Sequence, residues 1–309
     1  MEKMTGIMAG WLIMSATEAK KDYGFVVENG KIVEIVPNEK LLGKEGVIDA
    51  RDSIVCPTFT NTHTHFYETL AHGATEPNLS LKPLLEDFWW PVVENRQTLE
   101  TIRISTEYSA LESMTSGVTL CNDILEAPFA ERGKRLLTEE AVIRKAGMKA
   151  VLSLESNERI STENGYENLE ENKNFILKMR ETGNSDIRGT ICTHTTFSCS
   201  TPFLMKAAGM ARDMDEYIQI HMNEGPDEDK CCVDKYGMTT AELYKKIGFW
   251  EGGKAWANQC SCMEPVELNI MGQMGVGIST QPRSNALCNA GIAPVSYTHL
   301  RAHETAANL

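Results

Sequence analysis

No cluster of Lys and Arg interrupts this 309-residue sequence, whose formal net charge is −13. That balance offers nothing to a phosphate backbone, so no nucleic-acid partner is expected. Long apolar runs are missing too. The most apolar stretch, "GIMAGWLIM" from Gly6 to Met14, has nine residues, too few to span a bilayer. Glu2 offsets Lys3 ahead of it, so it lacks the positive lead of an export signal and is expected to be a buried β-strand, with no membrane partner. The nine cysteines are odd in number and scattered, which argues against a disulfide framework. Cys231-Cys232 and Cys260-x-Cys262 have no second pair at zinc-finger spacing, and a reducing, cytoplasmic compartment is expected. There is no Gly/Ser linker, low-complexity tract or sequence repeat. What is present is ordinary: 42% apolar and 24% charged residues, in a length that suits about two domains.

The first fifty-odd residues read as short strands. "YGFVVENGKIVEIV" alternates, with a hairpin signal at Glu28-Asn29-Gly30-Lys31, and "GVIDARDSIVCP" adds an expected strand pair. From Pro57 onward, strand-like runs alternate with helical stretches. Seven strands are expected: "CPTFTNTH", "GVTLCND", "MKAVLSLES", "IRGTICTH", "YIQIHMNE", "KAWANQC" and "VGIST". Helices are expected in "TLETIRISTEYSALESMTSG", in "TEEAVIRKAG" with Gly147 as its stop, and in "STPFLMKAAGMARDMD" with a Ser/Thr cap and Pro202 in its first turn. Repeated β-then-α units imply a parallel sheet with right-handed crossovers. The fold class expected is α/β: a (β/α)8 TIM-type barrel, incomplete with about seven βα units, and a small N-terminal β-sandwich portion.

The chemistry is concentrated in the histidines. His63 and His65, in "NTHTH", are two apart at a strand end. Both imidazoles then point the same way from Cα atoms roughly 6.5–7 Å apart, within reach of one metal. Two histidines on a solvated strand face would look the same from this motif alone. His221 in "IHMNEG", with Glu224 three residues on, and His194 in "CTH" end two later strands. Four histidines at three strand C-termini of one βα series point to a shared metal site.

These segments resemble the amidohydrolase superfamily. Pro57 to His65 is similar to its "PG-hydrophobic-(V/N)-(D/N)-x-H-x-H" signature. "IHMNEG" resembles the "H-(I/L)-x-E-(T/G)" of the cytosine deaminase, S-adenosylhomocysteine deaminase and chlorohydrolase branch, and "STQPRSNALCNAGIAPV" resembles that branch's "xHNPxSNxKLxxGIAPV". The likeness covers Gly30 to Pro294. It implies one divalent metal ion, Zn or alternatively Fe, ligated by His63, His65 and His221. It implies Glu224 as proton shuttle for a metal-activated water, and His194 beside a small heterocyclic substrate. The implied reaction is deamination of an exocyclic C–N bond on a nucleobase- or nucleoside-like ring. A triazine-type chlorohydrolase or amine hydrolase is the alternative enzyme. Trp90, in "FWWPVVENR", lies where the branch covers its substrate, although packing of the helix layer would equally employ a tryptophan there. Arg283 and Asn285 lie in a motif shared across the branch and are expected at the barrel mouth on the substrate. The full-length parent is expected to be an oligomer of identical subunits.

Three departures stand out. Gln259 in "WANQCSC" replaces the branch's strand-six histidine. An amide can hydrogen-bond a water or oxyanion but cannot take up a proton, so Gln259 enters the catalytic set in altered form and raises the second reading, a degenerate barrel that only binds ligand. Thr280-Gln281-Pro282 stands where the branch has "xHNP". No strand eight with its aspartate follows. Instead "VSYTHLRAHET" resembles one reading frame through a transposon-end adapter. The expected organisation is 1–56, part of a composite β-sandwich; 57–294, a barrel cut before strand eight; and 295–309, a non-native tail whose His299 and His303 are not ligands. The chain as it stands is expected to be inactive.

Overall fold

The computed structural model describes residues 4–74, 79–183 and 185–294. The chain divides into two compact units between Thr58 and Phe59.

The first unit is a five-stranded sheet. The apolar N-terminal stretch is β1 (Gly6–Ser15), followed by β2 (Glu18–Lys21), β3 (Tyr23–Glu28), β4 (Lys31–Pro37) and β5 (Val47–Val55). Their order is β2-β1-β3-β4, with β5 paired parallel to β1. The β3–β4 hairpin turns through Asn29 and Gly30, both at positive φ (51° and 75°), as a tight two-residue turn requires. The expected strand pair in "GVIDARDSIVCP" is instead one strand. Ala9 pairs with Ala50 and Trp11 with Ile54, so the polar residues Arg51 to Ser53 are taken up in a bulge rather than a turn. Met8, Val36 and Leu41 pack together, as do Ala9, Leu12 and Phe25.

The second unit carries the strands expected from the sequence, β6 (Phe59–Thr64), β7 (Val118–Leu125), β8 (Lys149–Leu154), β9 (Ile187–Gly189), β10 (Ile191–Thr193), β11 (Ile218–Met222), β12 (Ala255–Gln259) and β13 (Gly277–Ser279). All pairings are parallel, in the orders β6-β7-β8-β9 and β10-β11-β12-β13. The single strand expected over "IRGTICTH" is interrupted at Thr190, whose hydroxyl donates to the Tyr217 carbonyl (2.7 Å). The Thr190 N–H still reaches Leu152 and the Ile191 N–H reaches Tyr217, so one backbone stitches the two sheets into a seven-membered wall. At its ends β6 and β13 meet through the Thr62 and Ser279 hydroxyls, 2.7 Å apart. This is the incomplete TIM-type barrel that the alternation implied.

Helices α1 (Leu81–Leu84), α2 (Leu99–Thr115), α3 (Arg135–Ala146), α4 (Thr162–Glu181), α5 (Thr201–Asp213), α6 (Asp227–Tyr236), α7 (Thr240–Lys246), α8 (Pro265–Met274) and α9 (Pro282–Leu287) fill the connections. Their ends follow local chemistry. The Thr98 hydroxyl accepts from Thr101 N at the start of α2, Ser200 does the same for Phe203 N at α5, and Gly147 ends α3 at φ 73°. Between α1 and α2 the chain makes a wide π-type helix, Leu85–Val93, which includes Pro91. The helix layer seals the strands with Ile143, Leu152 and Phe175 on one side and Phe203, Ile220 and Ala257 on the other.

One charge is buried within that layer. Arg135 is fully buried and donates to Glu171 (2.7 Å), Asn168 (2.9 Å) and the Ala127 carbonyl (3.1 Å). Arg135→Ala would leave Glu171 as an uncompensated buried carboxylate. Denaturant unfolding should therefore register a loss of about 3–5 kcal/mol, whereas the double change Arg135→Met/Glu171→Met should recover most of it.

Candidate metal centre and substrate pocket

Parallel barrel strands deliver their C-terminal residues to one rim. His63 lies in β6 with His65 just after it, His194 follows β10, His221 lies in β11 and Gln259 ends β12. The three expected ligands His63, His65 and His221 come together, with candidate ligand atoms within 4.8 Å of one another. His65 Nε2 and His221 Nε2 are 3.2 Å apart, and the ring of His63 stands edge-on to both.

The tautomers follow from the outer partners. His65 Nδ1 lies 2.8 Å from the Ile124 carbonyl, which can only accept, so Nδ1 carries the proton and Nε2 a bare lone pair. His221 Nδ1 lies 2.6 Å from Glu155 Oε1, an ion-pair contact outside hydrogen-bond geometry that favours a proton on Nδ1. With both rings protonated at Nδ1, the two Nε2 lone pairs face each other across 3.2 Å, an arrangement that a cation between them would satisfy. Burial holds all three rings toward the neutral form that ligates. It pushes His221 down to about 4, and it lowers His63 and His65, each further depressed by its histidine neighbours. The residues present fit a divalent metal ion, His63 being buried with its Nδ1 unpartnered.

The expected acid–base residue is nearby. Glu224 follows β11 and is half-buried. Burial, then the carboxylates of Glu68, Glu155 and Glu228, push it up to about 8. Glu228 accepts from the Asn223 N–H (2.6 Å) and from Thr196, fixing the turn that presents Glu224. His194 Nδ1 is engaged by the Ser198 hydroxyl (2.6 Å), and its ring is 5.4 Å from that of His221. Trp90 is edge-on to His194 at 6.2 Å. Gln259 Nε2 donates to His63 Nε2 (3.0 Å). The other two expected residues lie on α9. Arg283 is exposed and makes no hydrogen bond or ion pair among the described residues, because it is the second residue of α9 and carries its charge into solvent. Asn285 is buried with both amide atoms unpartnered. His299 and His303, read as non-native, lie outside the described residues, as does the whole of 295–309.

The sequence reading passed over a network of buried carboxylates behind the histidines. Arg159, its side chain 4% exposed, bonds Glu94 and Glu126 at 3.0 Å each and Asn95 at 2.7 Å. Its guanidinium lies over the Trp90 ring, 5.2 Å from the centroid. Tyr67 donates to Glu94, and Asn157 to Glu126. Asn122 donates to the Thr62 carbonyl, while the Asp123 carboxylate accepts from Phe66 N (2.6 Å) at the start of the turn after His65. Glu126 and Glu155 follow directly on β7 and β8. "LSLES" closes on Glu155 just as "CTH" closes on His194, and that shared position was the available signal.

Glu155 is the outer partner of His221, so its replacement should be felt at the cation. Glu155→Gln keeps the shape but can offer its NH2 to His221 Nδ1 and reverse the tautomer. A chelator competition should find zinc affinity lower by about 10–100-fold, with the fold intact by circular dichroism.

Comparisons with known proteins bear on the same residues. Residues 54–301 match the sequence profile of the amidohydrolase family. A 5'-deoxyadenosine deaminase from Methanocaldococcus jannaschii is 29% identical over 277 residues, covering 89% of this chain and 63% of its own length. A 5'-deoxyadenosine deaminase from Methanosarcina acetivorans is 31% identical over 270 residues, covering 87% and 60%. This chain thus spans less than two thirds of the curated relatives it matches. The crystal structure of an adenosine deaminase from Xanthomonas campestris with bound zinc shares the fold, with a TM-score of 0.83 at 19% identity over 96% of this chain and 66% of that one. With the profile matched across most of the sequence and its histidines gathered at one barrel rim, the chain belongs to the amidohydrolase family.

Proposed function

We propose that this chain carries the catalytic barrel of a metal-dependent aminohydrolase, which releases ammonia from an exocyclic amino group of a nucleobase- or nucleoside-type heterocycle. The observation that carries the reading is the convergence of His63, His65 and His221, with ligand atoms within 4.8 Å of one another, and Glu224 three residues beyond His221. A divalent cation held by His63, His65 and His221, zinc in the first instance, would supply the Lewis acidity that makes water nucleophilic at neutral pH.

The residues divide the remaining work. Ile124 and Glu155 hold the rings of His65 and His221 with Nε2 turned inward. Glu224 makes no hydrogen bond to another side chain among the described residues, so its carboxyl is free to act. It takes one proton from the attacking water and gives it to the substrate's ring nitrogen, then takes the proton of the hydroxyl formed on the ring carbon and gives it to the departing amine, which leaves as ammonia. A carboxyl raised toward neutrality suits both directions of that transfer. His194, neutral because burial lowers it, spends Nδ1 on Ser198 and keeps Nε2 for a heteroatom of the ring. Trp90 offers an apolar wall beside it, steadied by Arg159. Gln259 cannot exchange a proton near neutral pH, so the acid–base duty falls on Glu224 alone.

The names of the relatives put adenine nucleosides first in the order of trial. The full-length parent, loaded with zinc, is expected to release ammonia from 5'-deoxyadenosine, adenosine or a free aminated nucleobase, read by a coupled assay. Chloride or amine release from a triazine instead would move the assignment to the halide-displacing alternative. Full zinc occupancy with ligand binding and no turnover of any of these would overturn it in favour of a binding protein.

A further inference from the structure

We propose that Gln259 turns its amide over when the cation binds and presents its oxygen to the metal centre. The inference rests on His63, His65 and His221 being the metal ligands, and it assigns a donor where this chain lacks an imidazole.

Four observations carry it. First, Gln259 Nε2 lies 3.0 Å from His63 Nε2, so the amide N–H now donates to a ring lone pair. Second, Gln259 Oε1 is buried with no partner, as is His63 Nδ1. Third, the residue is 2% exposed. Fourth, its backbone is pinned in place. Gln259 and Cys260 both adopt left-handed conformations, at φ 68° and 48°. The Gln259 N–H donates to Gln281 Oε1 (3.0 Å), and the Cys260 N–H donates to the Met222 carbonyl (2.9 Å). Such conformations are unfavourable for residues with a Cβ and persist only where the surroundings impose them.

The electrostatic consequence is direct. Once the His63 lone pair is given to a cation, the amide hydrogens would face positive charge with no acceptor, and Oε1 would stay unsatisfied. Half a turn about the last side-chain torsion exchanges two groups of nearly equal size and removes both penalties. The side chain is buried, so the exchange is the relief available to it. An amide oxygen is a neutral, hard donor of the kind that manganese and magnesium accept readily and that zinc also takes. The glutamine is then a working substitution in the metal centre rather than a lesion.

Cobalt(II) is the probe, because its visible absorption reports the donor set. The whole chain and its Gln259→Leu, Gln259→Glu and Gln259→His variants are titrated with cobalt(II) against a chelator. Gln259→Leu is expected to weaken binding by about tenfold or more and to change the visible bands, whereas Gln259→Glu is expected to tighten it by a similar factor. If Gln259→Leu fails to fold, the tightening by Gln259→Glu still decides. Equal affinity and identical bands in all four proteins, with one cobalt bound, would overturn the role of Gln259 and leave the histidine site standing. Absence of stoichiometric cobalt from the unaltered chain would overturn the histidine site itself.

Discussion

His221→Ala is expected to abolish cation retention, and with it the turnover of the full-length parent, while leaving the barrel folded. Zinc sites gain roughly 10–16 kcal/mol at neutral pH, so one ligand among three or four represents several kcal/mol, and affinity should fall on the order of 10²-fold or more. His221 is chosen because its ring sits at the crossing point of the site. Its Nε2 faces His65, its Nδ1 faces Glu155, and its ring packs against those of His63 and His194. Thermal unfolding separates this from simple damage. In the unaltered chain, saturating zinc at about a hundred times its dissociation constant should add roughly 2.7 kcal/mol of stability and raise the midpoint. In His221→Ala the midpoint should no longer respond to zinc, whatever its starting value. A variant that still rises with zinc as the unaltered chain does would place the ligands elsewhere.

Glu224→Gln should behave in the opposite way, with zinc retained and the same midpoint shift, but turnover lower by about 10²–10⁴-fold. The amide keeps the size and the hydrogen-bonding reach of the carboxyl and removes only its capacity to exchange a proton. The effect belongs at the upper end of that range here, because Gln259 cannot relieve it. Restoring an imidazole in the double variant Gln259→His/Glu224→Gln should recover part of the loss if a second proton carrier can serve at that rim. Loss of zinc in Glu224→Gln would show that the carboxyl is a ligand and not a shuttle.

Much of this was legible in the chain, for identifiable reasons. Parallel strands buried on both faces read as short apolar runs, so "AVLSL" and "YIQIH" declared β8 and β11. Their last residues, which reach the rim, are the polar exceptions, and His221 and His194 stood out on that ground. The Asn29-Gly30 turn was explicit in two letters. Other features depended on neighbours that only the fold supplies. Arg51-Asp52-Ser53 carries turn chemistry, yet a strand beside β1 absorbs it as a bulge. Glu94 lies in a helical connection of a chain that is 24% charged, and nothing local distinguishes it from a solvated surface. Residues 94 and 159 lie far apart in sequence and meet only when the π-type helix after β6 folds over the end of β8. Arg283, expected on the substrate from a shared motif, is exposed at the second position of α9.

Beneath the histidines, Gln219 on β11 is fully buried inside the barrel. Its amide makes five hydrogen bonds: it accepts from Asn122, Trp256 and Asn258 and donates to Asn122 and Ser153. One side chain thus clasps β7, β8 and β12 to its own strand. A lumen filled only with aliphatic groups would tolerate a strand sliding by two residues, because apolar packing has little sense of position. Here such a slide would orphan every partner of that amide in a medium where unpaired polar groups are costly. Gln219 therefore serves as the staves' common notch, and the convergence of nitrogen atoms at the rim above is an alignment inherited from it.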